Sequence, residues 1–232
     1  MAFKDGDFLE VEYDAWTAAD NGLIATTDEK KAKDASIYDE HMHYGSVLVV
    51  LGSNSVIKGL DKSLRTMDLN EKKKLEFKPD EAFGERQPDL VRIMPIAEFR
   101  KRDINPYPGL QVNIDNSTAT VKSVNSGRVT VDLNHPYAGQ NVIYDIKIIK
   151  QLTTEKEKVK ALGKTYDAEP TDAEVKEKVL RITFGKDVKK NADYFIGKAN
   201  LVASAFSYLK DVDKVVVDEE YARPAENAKE EE

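Results

Sequence analysis

The chain has 232 residues, 33% of them charged, a net charge of −7 and no cysteine. That length accommodates one large domain or two to three small ones, and the lack of cysteine excludes a disulfide framework and thiolate catalysis. No basic field attracts nucleic acid, and the clusters Lys72-Lys73-Lys74 and Arg100-Lys101-Arg102 sit among acids as a solvated face. The opening M-A-F-K-D-G-D-F-L-E has no apolar leader, and no apolar run approaches the roughly 20 residues of a membrane span. The expectation is a soluble, cytoplasmic protein with no membrane or nucleic-acid partner.

Leu9, Val11, Tyr13 and Ala15 alternate with Glu10, Glu12 and Asp14, the period of a strand with one wet face and Tyr13 pointing inward. Asp20-Asn21-Gly22 predicts a hairpin turn into Leu23, Ile24 and Ala25. Asp28 to Asp39, dense in Lys and Asp, reads as an exposed excursion with one or two helical turns. His41 and His43 qualify as ligands by spacing, but no acidic or cysteine partner sits at a diagnostic distance, so a surface loop pair is expected and no metal site. Val47 to Leu51 is an unbroken apolar run that predicts a strand buried on both faces, and Leu60, Leu64 and Met67 then fall at helical spacing.

Leu75 and Phe77 alternate as a further strand that Pro79 ends. From Glu85 to Asn134 the chain follows its own pattern: an apolar run Leu90 to Ile96, Phe99, a turn-rich N-P-Y-P-G, then alternation through Val112, Ile114, Thr118 to Val124 and Val129 to Leu133. This predicts a small antiparallel β-unit of two or three hairpins. Val142 to Ile149 is a long β-branched strand that belongs in one sheet with Leu9 to Ala15, so the β-unit is inserted and not appended. Beyond Thr153, E-K-E-K-V-K-A-L-G-K predicts a helix, and T-D-A-E-V-K-E-K-V-L opens on a helix-start pattern, Thr171 to Glu174. A strand through Leu180, Ile182 and Phe184 follows, then a helix from Asn191 to Leu209 with Phe195, Leu201, Val202, Ala205, Phe206 and Leu209 apolar. That helix forms either a core or a dimer surface. Val215 to Val217 is a last strand before an acidic tail, 223–232, whose composition predicts disorder.

No Walker loop, G-x-S-x-G, H-E-x-x-H or dinucleotide fingerprint is present. What remains is an apolar hollow of Val56, Ile57 and Leu60 with Tyr13, Phe83 and Tyr144 available to line it, a set that would equally build an ordinary aromatic core. The segments V-E-Y-D-A, G-S-N-S-V-I-K-G-L-D-K-S-L, A-F-G-E-R and N-H-P-Y-A-G-Q-N before Y-D-I-K-I-I resemble, in that order, the FKBP family of peptidyl-prolyl cis/trans isomerases. The resemblance is closest to the SlyD-like branch and covers residues 5 to 150 or so, with the remainder similar to the C-terminal domain of long archaeal-type members.

The resemblance implies an α+β fold: an antiparallel sheet wrapped on a short helix (1–86 and 135–152), an insert-in-flap chaperone domain (87–134), a C-terminal α+β domain (153–222) and the tail. It implies catalytic positions at Tyr13, Ile57, Leu60, Phe83 and Tyr144, with the Ile57 N–H receiving a substrate carbonyl, Leu60 as floor and Val56 at the rim. Ala25, Thr26, Val47, Val56 and Tyr137 are implied to bind substrate, and no cofactor or metal is implied, since the histidine-rich tail of that branch is absent. Thr26 stands where the family usually has an aspartate bonded to the tyrosine, and Phe83 where many members have tyrosine, which implies weaker macrolide binding. Val91, Ile93, Met94, Ile96 and Phe99 either offer unfolded prolyl-containing chains a sticky surface or form the insert's own core. The rival class is a non-catalytic holdase, and a homodimer through the C-terminal domain is a further expectation.

Overall fold

A computed structural model describes residues 3–115, 117–186 and 191–221. The chain runs through β1 (Phe8–Thr17), β2 (Leu23–Thr26), α1 (Glu29–Asp34), β3 (Val47–Val50), α2 (Lys58–Leu64) and β4 (Lys72–Phe77). It then leaves this body through β5 (Val91–Pro95), α3 (Ile96–Arg100), β6 (Gln111–Ile114), β7 (Ser117–Asn125) and β8 (Arg128–Asp132), and returns as β9 (Val142–Leu152). The last part holds α4 (Glu155–Thr165), β10 (Asp172–Lys176), β11 (Val179–Thr183), α5 (Ala192–Tyr208) and β12 (Lys214–Asp218). The architecture is α+β with predominantly antiparallel sheets, as expected.

In the first sheet β1 pairs along its whole length with β9, whose other edge takes β4. The opposite edge of β1 is shared, with β3 on Phe8 to Val11 and β2 on Asp14 to Trp16. β1 and β9 are distant in sequence, so their pairing makes the segment between β4 and β9 a true insertion. α2 lies on the inner face through Leu60 and Leu64, and Met67 completes the helical stripe just beyond its end. The inserted segment forms its own four-stranded sheet, β5-β8-β7-β6, around Phe99, Val112, Ile114, Val121, Val129 and Val131.

β3 is buried on both faces, and the reason lies outside the first sheet. Val49 joins the core under α2, whereas Val50 and Leu48 pack with Val159, Leu162, Leu201 and Ala205 of α4 and α5. Phe8 and Leu152 also belong to that second core. His43 Nε2, in the exposed 39–44 loop, lies 2.8 Å from Asp167 Oδ1 after α4.

Two expectations are corrected, at Thr171 to Glu174 and at Asp14. Thr171 to Glu174 starts no helix: Ala173 pairs with Ile182 and Val175 with Leu180 in the β10–β11 hairpin, turned at Glu177 and Lys178 with φ of 48° and 62°. Asp172 to Lys176 puts alternate side chains on one face, and cross-strand packing prevails over a helix-start spacing. The real capping box is Thr154 with Glu157 at the head of α4. In α5, Phe195 and Phe206 lie on the exposed side, while Leu201, Ala205 and Leu209 face the core. Asp14, expected on a wet face, is only 8% exposed. The tail 223–232 lies outside the described residues.

Candidate active site

Sheet register assembles the hollow. On β9, Ile146 is opposite Tyr13 and Tyr144 opposite Ala15, so the two tyrosines are diagonal neighbours on one face. Their ring centroids are 5.6 Å apart at 40°, and Phe77 of β4 meets Tyr144 edge-on at 5.9 Å. Leu60, 1% exposed, lies under them in the same cluster, where Ala25, Val47, Val56, Ile57, Ala82 and Phe83 are half-buried. α2 approaches this close because position 59 is glycine: a Cβ there would lie 2.3 Å from Phe77 Cδ1.

Burial raises the pKa of both tyrosines above the ordinary phenol value, and for Tyr144 the neighbouring Tyr13 adds to it, so both hydroxyls stay protonated and able to donate. Neither has a protein partner among the described residues. Neither is sealed from solvent either, since the one fully buried side-chain oxygen without a partner there is Glu155 Oε2. Ile57 occupies the N-cap of α2 with no side-chain cap on the helix, and its own N–H has no acceptor among the described residues. The hollow therefore combines apolar walls with uncommitted donors at its mouth.

The flap over it is built from two returning segments. After the 3-10 turn Pro79–Glu81, Phe83 precedes Gly84, whose φ of 81° is left-handed, and the Gly84 carbonyl accepts from the Gly139 N–H at 2.9 Å. Phe83 stacks on His135 at 4.3 Å and 6°, with Tyr137 at 5.7 Å. Burial lowers the His135 imidazole from its ordinary value, which keeps it neutral against the phenyl face. At the root of the inserted segment Arg86 pairs with Asp132, while Asn134 donates from Nδ2 to the Gln87 carbonyl and accepts from the Gln87 N–H. Burial pushes the Asp132 carboxyl up, but the two Asn134 donors and the charges of Arg86 and Lys122 outweigh it and hold the group below the usual carboxylate range.

The family model described as FKBP-type peptidyl-prolyl cis-trans isomerase matches residues 1–100, and one described as FKBP26, IF domain, matches residues 92–137. The FKBP-type 16 kDa peptidyl-prolyl cis-trans isomerase of Escherichia coli K12 is 33% identical over 105 residues, 43% of this chain and 70% of its own length. The chain belongs to the FKBP-type peptidyl-prolyl cis-trans isomerases. The short-type peptidyl-prolyl cis-trans isomerase of Methanocaldococcus jannaschii is 28% identical over 145 residues, 62% of this chain and 91% of its own. The SlyD isomerase of Helicobacter pylori is 26% identical over 120 residues, 50% of this chain and 64% of its own, in keeping with the SlyD-like character of this FKBP chain.

Of the expected site residues, Tyr13, Ala25, Val47, Val56, Ile57, Leu60, Phe83 and Tyr144 share one cluster, and Tyr137 reaches it through Phe83. Thr26 does not face the hollow: it is buried, and its hydroxyl donates to Asp14 Oδ1. On the inserted segment Ile93 is 66% exposed and Val91 is also exposed, Met94 and Ile96 are half-buried, and Phe99 is core at 4%. Phe99 thus offers no surface, because α3 folds it back onto the sheet. Phe77, Ala82 and His135 were not singled out; the alternation of Leu75 with Phe77 and the N-H-P-Y segment carried the signal. Among the described residues no group of three or more His, Asp or Glu is arranged to hold a metal ion, and no helix is long and apolar enough to cross a membrane.

Proposed function

We propose that this hollow binds the proline ring of a polypeptide substrate, with Tyr13, Leu60 and Tyr144 as walls and floor, Ile57 as backbone donor and Phe83 as the lid's contact. The observation that carries this is the tyrosine pair 5.6 Å apart above buried Leu60, with both hydroxyls unengaged. Rotating a prolyl amide faces a barrier of ~20 kcal/mol and breaks no bond, so neither nucleophile nor base is needed. A twisted amide has lost resonance and polarity, so a water-poor apolar pocket favours it over the planar ground state. Donors at the mouth then hold the flanking peptide in a turn. Leu60→Ala combined with Tyr144→Ala should lower the isomerisation rate of a prolyl tetrapeptide at least about tenfold, a loss of ~1.4 kcal/mol in transition-state binding; an unchanged rate would sink the assignment.

We propose further that residues 87–134 act as a chaperone domain inserted in the flap of an isomerase domain, 1–86 with 135–152, and that 153–222 is a separate C-terminal domain. The exposed Ile93 and Val91 on β5 support capture of unfolded chains by the inserted segment. Deleting residues 88–133 should spare the short-peptide rate and slow proline-limited protein refolding; equal losses on both substrates would refute two sites. Phe195, Ile196 and Phe206, exposed along α5, support a second copy of this chain as partner, which sedimentation of a Phe206→Glu variant would check.

A further inference from the structure

Tyr13 and Asp14 are neighbours on β1 and point to opposite faces, Tyr13 into the hollow and Asp14 away from it. The Asp14 carboxylate is buried on that outer side, and both its oxygens are engaged. Oδ1 accepts from Thr26 Oγ1 at 2.5 Å and Oδ2 from Lys31 Nζ. Thr26 Oγ1 accepts in turn from the Asp28 N–H at 3.0 Å, and the Asp28 side chain caps α1 by accepting from the N–H groups of Lys30 and Lys31. The bonds close a ring from Asp14 through Thr26, Asp28 and Lys31, tying β1, the end of β2 and α1 into one unit.

The next residue carries that unit to the pocket. Thr27 Oγ1 accepts from the Tyr13 N–H at 3.0 Å, and the Thr27 N–H donates to the Tyr13 carbonyl at 2.9 Å. Both backbone groups of the pocket tyrosine are therefore held by the residue that follows Thr26. Charge gives the reason for the ring. Asp14 stands opposite Asp145 on β9, and like charges facing each other push strands apart. Asp145 has Lys72 at 2.8 Å and Lys74 opposite it on β4; Asp14 has Lys31 and the Thr26 hydroxyl. Without those donors a buried carboxylate would be left unpaired directly beside Tyr13.

We infer that Asp14 and Thr26 are positioning residues of the isomerase site, which fix the β1–β2 junction from the outer face and thereby set the Tyr13 wall. Neither touches substrate, and the inference rests on the assignment of Tyr13 to the prolyl pocket made above. In it, a hydroxyl–carboxylate pair behind the tyrosine does the orienting from the backbone side.

The test is kcat and KM on a prolyl tetrapeptide, with thermal midpoints, for Thr26→Val, Thr26→Ser, Asp14→Ala, the Asp14→Ala/Thr26→Val double variant and Tyr13→Ala in the full chain. Thr26→Val and Asp14→Ala should each lower kcat/KM about fivefold, the equivalent of one ordinary hydrogen bond. Thr26→Ser keeps the hydroxyl and should stay within about twofold of the parent, and the double variant should fall no further than the worse single, because the two act as a unit. Parent-like activity in Thr26→Val beside a large loss in Tyr13→Ala overturns the inference, as does a Thr26→Ser loss as deep as that of Thr26→Val, the mark of packing alone. If Asp14→Ala does not fold, the two Thr26 variants decide. Unchanged activity in Tyr13→Ala removes the pocket assignment itself and this inference with it.

Discussion

The first sheet and the inserted sheet are both antiparallel with one apolar face, and they treat that face in opposite ways. The first covers it with α2, leaving a narrow hollow framed by two tyrosines whose walls are fixed by register. The inserted sheet closes its core with α3 and Phe99 and still leaves Ile93 and Val91 of β5 in solvent. A closed face can select one ring shape, whereas an open edge can hold many sequences weakly. Under the proposed functions, the difference between selecting and holding would come from what lies over the sheet, since strand chemistry is similar in both.

Leu60→Ala probes the closed face most severely: truncating a buried leucine costs about 2–5 kcal/mol, visible in thermal denaturation together with the loss of isomerase rate. Gly59→Ala should cost less, about 1–3 kcal/mol, by pushing α2 off Phe77; an undisturbed Tm would show that α2 can shift without cost. The root of the inserted segment comes next. Because Asp132 is held below its unfolded value, its contribution is present above the unfolded carboxylate range and is lost as pH falls through the folded value. Acid titration below about pH 4 should loosen the inserted segment, and Arg86→Ala should weaken that dependence, both read by amide exchange of β8. At the small end, Ile93→Glu should change stability by under about 0.5 kcal/mol while reducing suppression of client aggregation. If it left aggregation unaffected, the contrast between the two faces would not extend to function.

Much of this was legible in the residues. The alternation of β1, the helical spacing of Leu60, Leu64 and Met67 and the V-I-K-G-L and N-H-P-Y-A-G-Q-N segments place the hollow without coordinates. The burial of Asp14 was not legible, since alternation marks it as wet and the cover is α1, a helix of mostly charged residues whose packing direction no pattern encodes. Thr171 to Glu174 misled because a spacing that starts helices can equally put one residue in two on a strand face, and only the partner strand at Leu180 and Ile182 decides. Phe99 could not be sorted from Ile93 because it follows the run Leu90 to Ile96 after only Ala97 and Glu98, and the turn of α3 that separates them depends on the core it packs against.

Phe8, Val50 and Leu152 belong to the first sheet by strand pairing and to the core around α4 and α5 by contact. A stop codon after residue 152 would consequently leave three core side chains facing water along one strip of the sheet. Anyone seeking a minimal catalyst from this chain would have to repaint that strip, beginning with Phe8 and Val50, before the shortened protein could remain in solution.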